Sequence, residues 1–596
     1  MEKYADRESV PEKYKWDLTT FFKNLDEFEE SFKNTEVKIA NLGKYVGCTK
    51  DVNKLKEFLD LYIDTLADWE DLYVYSALIN DQEVGISENV ERKNRCDILL
   101  DEFNANVNFF DPELLSLSKD EFETIINDST IFLYKAYLEN LYRIKEHVLS
   151  EDEERIMNEF ITIISSYQDM ASILLYSEHD YGKVVMDDGT EEVLSPTNYS
   201  SIMKKCSREK RKQIREDYFN IIDKYSKSNA FYLNEYVKMN TKLSKLRKYN
   251  TSWEQYLDSI KMNNKVFDSL ISACEKRTDV FRKYYNIRKK GLKLDKLYFY
   301  DLPLDIANND KEYSIEEGLE IIKNALIPMG EDYNKLYNRI IDNRYIDFCQ
   351  YKGKYIGGYS FSTLKQDSRI LLSYNGDMDS ISTIIHEAGH NVHQQLISKN
   401  NNPIYCNVDT IVSEIASLTN ECLLSNYLMK NGQTKDEKLS GIENLLIVSF
   451  SNLFGAVREG KMELDMYKHV EDGMMLTKEY MDNLTIDSLK QYYGDSICYD
   501  DEAKNGWVNR MHYFTSFYLF SYAISMCIAL NSCERILNGD KEFLNKYIDF
   551  LKLGADRYQY DAIKELGFDL EDEKLYLDSI DYLEKLIDEF DAILSS

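Results

Sequence analysis

His386, Glu387 and His390 stand in the stretch Ile385-His386-Glu387-Ala388-Gly389-His390-Asn391-Val392-His393, an HExxH arrangement. Histidines at i and i+4 of a helix project from one face on successive turns, where two imidazoles can share a zinc ion. The glutamate beside them is placed to take a proton from a water that the metal activates rather than to bind the metal. With seven histidines in 596 residues, the string arises by chance in roughly one such chain in a hundred. A catalytic zinc needs three protein ligands and one open position, so a third ligand decides the matter. His393 cannot supply it, because at about 1.5 Å rise per residue it lies about 10 Å along the axis from His386. A further histidine in the same extended motif is also excluded: position 393 is His rather than Gly, and position 396 is Leu. The better candidate is Glu414, in Ser413-Glu414-Ile415-Ala416-Ser417-Leu418-Thr419-Asn420-Glu421.

Two helices must position these groups. Ile381, Ile384, Ile385, Ala388 and Val392 recur at helical spacing, with Asp377, Asp379 and Ser380 available to cap the first turn. Ile411, Ile415, Leu418 and Cys422 form a second apolar stripe, and Asn400-Asn401-Asn402-Pro403 between the stripes is a turn. Two helices joined by a loop can set Glu414 opposite the histidine pair. Asp409, Ser417 and Glu421 are candidate outer partners that would orient the histidines.

HEAGHxxH followed by SEIASLTNE resembles the thimet-oligopeptidase-like zinc peptidases, and more closely oligoendopeptidase F. The resemblance implies one zinc ion per chain held by His386, His390 and Glu414, with Glu387 as general base. Gly389 matches as well, a helix glycine suited to close backbone packing. The stretch opening Val10-Pro11-Glu12-Lys13-Tyr14-Lys15-Trp16, and the segments Tyr492 to Asp495, Trp507 to Ala523 and Tyr547 to Leu570, extend the likeness from residue 10 to about 575. Peptide hydrolysis develops an oxyanion, for which His512, Tyr518 and Tyr522 are candidate donors; Tyr518 and Tyr522 are expected to share a helix face, and Tyr513 is an alternative. Lys352-Gly353-Lys354-Tyr355-Ile356-Gly357-Gly358-Tyr359-Ser360 reads as a glycine-rich turn and strand. Gly357, Gly358 and Tyr359 are the candidate substrate-binding residues, where a peptide could add to a strand edge.

The implied fold is mostly α and zincin-type: an N-terminal helical domain and a helical catalytic domain with a small β-sheet, enclosing a deep cleft. The domain boundary is expected at 195/196, after a hairpin signal at Asp188-Gly189 that interrupts the helical pattern. The implied function is zinc-dependent cleavage of internal bonds in short unstructured peptides. A carboxypeptidase or dipeptidyl carboxypeptidase of related fold uses the same zinc set, and would need a cationic residue for the substrate carboxylate. A helical binding protein with a vestigial motif is the non-enzymatic alternative, disfavoured because the ligands and the base are all present.

The net charge of −32 argues against nucleic acid or an anionic membrane as partner, since both require a basic footprint. The cluster Lys204, Lys205, Arg208, Lys210, Arg211 and Lys212 is expected to be a solvated face paired with local carboxylates. Ten cysteines without framework spacing point to a reduced, cytoplasmic compartment, and the charged N-terminus has no apolar leader. Tyr513 to Cys533 lacks charge for 21 positions but is broken by serines, threonine and asparagine, so it is expected to be a buried core helix. No proline occurs in the final 193 residues, which favours long helices.

Overall fold

In the absence of proline after Pro403, helices run uninterrupted through Thr410–Asn431, Lys435–Phe450, Ala456–Glu471, Lys478–Tyr493, Leu519–Leu537 and Glu573–Ser595. The computed structural model describes residues 4–596 apart from 151, 152, 154, 155, 158–165, 197, 309 and 310. The strands among the described residues are β1 (Lys183–Val185), β2 (Glu191–Val193), β3 (Ile346–Cys349), β4 (Tyr359–Phe361) and β5 (Arg369–Tyr374). The fold is therefore mostly α, as expected. Two compact units divide the chain, each discontinuous in sequence: Met1–Glu146, Asp310–Tyr427 and Ser532–Gly567 form the first, and His147–Asn309, Leu428–Asn531 and Phe568–Ser596 the second. The boundary expected at 195/196 falls inside the first stretch of the second unit. Periodicity locates helices and turns, but which distant faces pack together is a property of the whole chain.

In the first unit, helices Leu25–Leu42, Val52–Gln82 and Ser87–Val107 pack around Phe28, Phe32, Phe58, Tyr75, Leu78, Leu99 and Phe103. The stripe Leu55-Phe58-Leu59 is buried as its spacing requires. Phe132 is instead exposed, because the helix containing Leu138 begins only at Lys135 and Phe132 sits in the turn before it.

The sheet of this unit has the order β3-β5-β4, with β3 parallel and β4 antiparallel to the central β5. Both faces are covered, so β5 is buried along almost its whole length rather than at alternate positions. On one side Tyr359 donates to Asp81 on helix Val52–Gln82 (2.7 Å), and Leu364 N–H donates to Glu70 (2.8 Å). Helix Met378–Asn400 packs on the other. The N-terminal segment closes the sheet end: Arg369, 1 % exposed, donates to Asp17 O (3.0 Å) and Thr20 Oγ1 (2.5 Å), and its guanidinium lies 4.0 Å over the Tyr345 ring.

A buried ion pair joins β3 to β5. The Lys354 ammonium donates to the carbonyls of Asp347 (3.1 Å), Cys349 (2.9 Å) and Leu372 (2.8 Å), and its Nζ lies 2.7 Å from Asp347 Oδ1. Arg7 reaches the other oxygen of Asp347 at 2.7 Å and Tyr351 Oη at 2.8 Å. Burial pushes the Lys354 ammonium below its usual pKa, and Asp347 opposes that shift. Removing Lys354 would take one donor from each of three buried carbonyls and leave a carboxylate with one cation fewer. Lys354→Met is therefore expected to cost about 3–5 kcal/mol of stability, read as a lowered urea midpoint; a midpoint within experimental error of wild type would show the pair to be energetically neutral.

In the second unit, helix Glu573–Ser595 packs against Asn264–Lys276, Thr278–Gly291 and Lys435–Phe450, and the long helix Arg208–Leu246 against Ala456–Glu471. β1 and β2 form the expected hairpin around Asp188-Gly189, with Gly189 at φ +88°. The basic cluster finds the expected carboxylates, Lys204 with Asp305 (2.7 Å), Arg208 and Arg211 with Asp301 (2.9 and 3.3 Å), and Lys212 with Glu216 (3.6 Å), but Arg211 and Asp301 are buried rather than part of a solvated face. The uncharged segment ending at Cys533 is core, with Phe520, Ala523, Ile524 and residues 526–530 fully buried. Among the described residues, one helical run, Lys435–Glu471, is long and apolar enough to cross a membrane, and 61 % of its most apolar window is buried.

Candidate metal centre and active site

Asp377 caps the helix Met378–Asn400, its Oδ1 accepting from Ser380 N–H (2.9 Å) and Ser380 Oγ–H (2.6 Å). Ile381, Ile384, Ile385, Ala388 and Val392 are fully buried, which turns His386 and His390 to the opposite, half-buried face. Helix Thr410–Asn431 crosses this one at Gly389, where an added Cβ would lie 2.7 Å from Ser417 Cα and 3.1 Å from Ala416 O. The motif glycine thus permits backbone-to-backbone contact. The crossing is fastened by Asn420, which donates to Ile385 O (3.4 Å) and accepts from Tyr333 Oη–H (3.0 Å).

This crossing brings Glu414 to the histidines. His386 Nε2 and His390 Nε2 are 3.2 Å apart, and Glu414 oxygens lie 3.8 Å from the first and 3.9 Å from the second. Two ligands bonded to zinc at about 2.0–2.1 Å with a tetrahedral angle are separated by about 3.3 Å, and no pair can exceed about 4.2 Å. All three pairs satisfy that bound, and the three donors lie within 4.8 Å of one another. The donor set, two imidazoles and a carboxylate, suits zinc among several transition metals.

Outer contacts orient each ligand. His386 Nδ1–H donates to Glu421 Oε1 (2.6 Å), and Ser417 Oγ–H donates to Glu414 Oε2 (3.1 Å). Asp409, proposed with them from sequence, instead accepts Ile411 N–H (3.0 Å) at the start of its helix. Ser413, which sequence reasoning missed, lies with its Oγ 3.0 Å from His390 Nδ1. Its only signal was adjacency to Glu414, which does not specify direction. In the metal-free site, burial works against charge on His386, but the Glu421 hydrogen bond and the nearby carboxylates outweigh it and raise the imidazole to about 9. Burial, then the charge of His386, lowers His390 to about 3.

Glu387 is 8 % exposed and outside the ligand cluster, and burial raises its carboxyl to about 7. A carboxylate so placed is primed to accept a proton. His393 is buried and is not part of the cluster, as its spacing required.

In the same unit, β4 is an edge strand paired only with β5 among the described residues. Gly358 lets it approach the second turn of the motif helix: a Cβ there would lie 2.9 Å from Thr383 Cγ2. Gly357, at φ +151°, turns the chain into the strand. The Tyr359 hydroxyl is engaged by Asp81.

His512, Tyr518 and Tyr522 belong to the second unit. Their rings cluster, Tyr518 to Tyr522 at 5.1 Å and His512 to Tyr522 at 6.2 Å between centroids, and all three are half-buried. Tyr513 is buried, with its hydroxyl against Met462 Sδ. The expectation of one helix face for Tyr518 and Tyr522 needs correction: the helix begins at Leu519, and Tyr518 lies in the turn before it. Phe517 in that turn has φ +62°, a conformation costing an aromatic residue about 1–2 kcal/mol.

The Phe517 N–H donates to Glu463 Oε1 at 2.9 Å, and Glu463 is fully buried. Burial holds this carboxyl well above its usual range and so favours its neutral form. A raised folded-state pKa contributes stability in full below the unfolded value of 4.5, and that contribution is lost as pH rises. Glutamine is neutral throughout. Glu463→Gln is expected to gain stability relative to wild type as pH rises from about 4 towards 7, with the difference smallest at the acid end. Melting temperatures across that range test it, and a pH-independent difference would exclude a neutral Glu463.

A mostly helical fold in which an HExxH helix meets a glutamate from a second helix defines a zincin-type metallopeptidase. The chain belongs to Peptidase family M3, whose family model matches residues 201–582, and the Oligopeptidase F model matches residues 113–181. It is 27 % identical over 593 residues to Oligopeptidase PepF of Bacillus subtilis, spanning 99 % of this chain and 88 % of that protein. Identity to the plasmid-encoded Oligoendopeptidase F of Lactococcus lactis subsp. cremoris is 25 % over 595 residues, covering 99 % and 98 %. A crystal structure from Chlamydophila abortus superposes with a TM-score of 0.91 at 25 % identity, covering 99 % of this chain and 100 % of that one. The oligoendopeptidase-F structure from Enterococcus faecium gives a TM-score of 0.74 at 23 % identity, covering 96 % and 99 %. The protein is thus a metallo-oligopeptidase, acting on peptides with a metal cofactor.

Proposed function

We propose that the protein is a zinc-dependent endopeptidase that hydrolyses internal bonds of short unstructured oligopeptides. The observation that carries this reading is the meeting of His386, His390 and Glu414 at ligand distances, with Glu387 beside them and not among the ligands. His386, His390 and Glu414 would hold one zinc ion per chain. Zinc, when bound, supplies a Lewis acid for the scissile carbonyl and lowers the pKa of water. Glu387 removes a proton from the attacking water and delivers it to the leaving amine. Glu421 keeps the proton of His386 on Nδ1, so that Nε2 remains the free donor. The backbone at Gly357, Gly358 and Tyr359 is our candidate for strand addition by an extended peptide, supported by the edge position of β4. His512, Tyr518 and Tyr522 are our candidates for hydrogen-bond donation to the oxyanion, supported by their half-exposed ring cluster. Ten free cysteines support a reducing, cytoplasmic setting.

Mass spectrometry of peptides of about ten residues with free or blocked ends tests the reading. Internal fragments from both, abolished by chelation and restored by zinc, are expected. Cleavage confined to peptides with a free C-terminus would move the assignment to a carboxypeptidase or dipeptidyl carboxypeptidase.

A further inference from the structure

The two histidines of the metal centre are oriented by different chemistry. His386 has a carboxylate, Glu421, at 2.6 Å from Nδ1, whereas the group at His390 Nδ1 is the hydroxyl of Ser413 at 3.0 Å. Both rings turn Nε2 toward Glu414 and toward each other, so both must carry their proton on Nδ1 to offer a lone pair at Nε2.

A carboxylate enforces that tautomer, because it can only accept. A hydroxyl accepts or donates. If Ser413 Oγ–H donated to Nδ1, the proton of neutral His390 would reside on Nε2 and block the donor position. We propose that Ser413 is a positioning residue for metal binding: its oxygen accepts the Nδ1–H of His390 and holds the ring with Nε2 toward Glu414. The inference rests on the metal centre proposed above. Ser413 immediately precedes Glu414 on the same helix, so one backbone segment sets both a ligand and the orienting group of another. The position is half-buried.

The test is equilibrium competition for zinc between a chromophoric chelator and the full-length metal-free protein, as wild type, Ser413→Ala and Ser413→Thr. An orienting outer partner is worth about 10–100-fold in metal affinity. Ser413→Ala is expected to weaken zinc binding by about that factor, and Ser413→Thr, which keeps the hydroxyl, to stay within about threefold of wild type. Glu421→Gln calibrates the effect at the other histidine. Cobalt(II) spectra of Ser413→Ala are expected to show an altered ligand field, and those of Ser413→Thr to match wild type. The melting temperature of metal-free Ser413→Ala should equal that of metal-free wild type. Unchanged zinc affinity in Ser413→Ala would overturn the assignment, as would equal weakening in both variants accompanied by a lower metal-free melting temperature, which would mark a packing role. Failure of the wild-type protein itself to bind zinc would instead sink the metal centre.

Discussion

Glu387→Gln is expected to retain its metal and its substrate affinity while kcat falls by about 10²–10⁴-fold. The substitution keeps the shape of a side chain that is 8 % exposed on a well-capped helix, and it leaves His386, His390 and Glu414 in place. What it removes is the capacity to accept a proton, because an amide is not a base near neutral pH. The loss should therefore appear in kcat and kcat/KM together, as for an interaction made only in the transition state. Steady-state rates on a fluorescence-quenched peptide, with metal content measured on the same preparation, separate this from damage to the site. A variant with full metal and more than a tenth of wild-type kcat would show that another group is the base.

Glu414→Ala is expected to abolish activity through metal loss, weakening zinc binding by more than the 10–100-fold typical of an outer partner. Among the described residues, Glu414 is the one donor that the second helix brings to the candidate cluster, and the histidine pair alone cannot complete a three-ligand site. Ser417 loses the carboxylate but keeps the main-chain carbonyl of residue 414 as an acceptor (3.1 Å), and the helices remain joined through Gly389 and Asn420, so the metal-free protein should fold. Chelator competition and thermal melting with and without zinc distinguish the outcomes. Wild-type zinc affinity in Glu414→Ala would remove it from the ligand set.

The motif helix, its aspartate cap and the glycine at the crossing were legible because each is written in local spacing. Ile381, Ile384, Ile385, Ala388 and Val392 define a face, and HExxH places two histidines opposite it. The strand at Tyr359 was legible behind its glycine-rich turn, although the sequence could not show that Lys354 in that turn would be buried as a partner of Asp347. Tyr518 was misplaced onto a helix because aromatic spacing continues through the turn at Phe517, whose left-handed backbone is held by Glu463, distant in sequence.

The same division applies to the protein as a whole. Its sequence by itself determined the candidate chemistry: the proposed base, the histidine pair and the family signature depend on residue type and short-range order, which helical geometry converts directly into position. Only the tertiary structure decided that Ser413 rather than Asp409 meets His390, that the Tyr359 phenol is spent on Asp81, and that the compact units are discontinuous. Those outcomes depend on where two helices cross and which distant faces bury each other. Such contacts are set by packing across hundreds of residues, which no local pattern encodes.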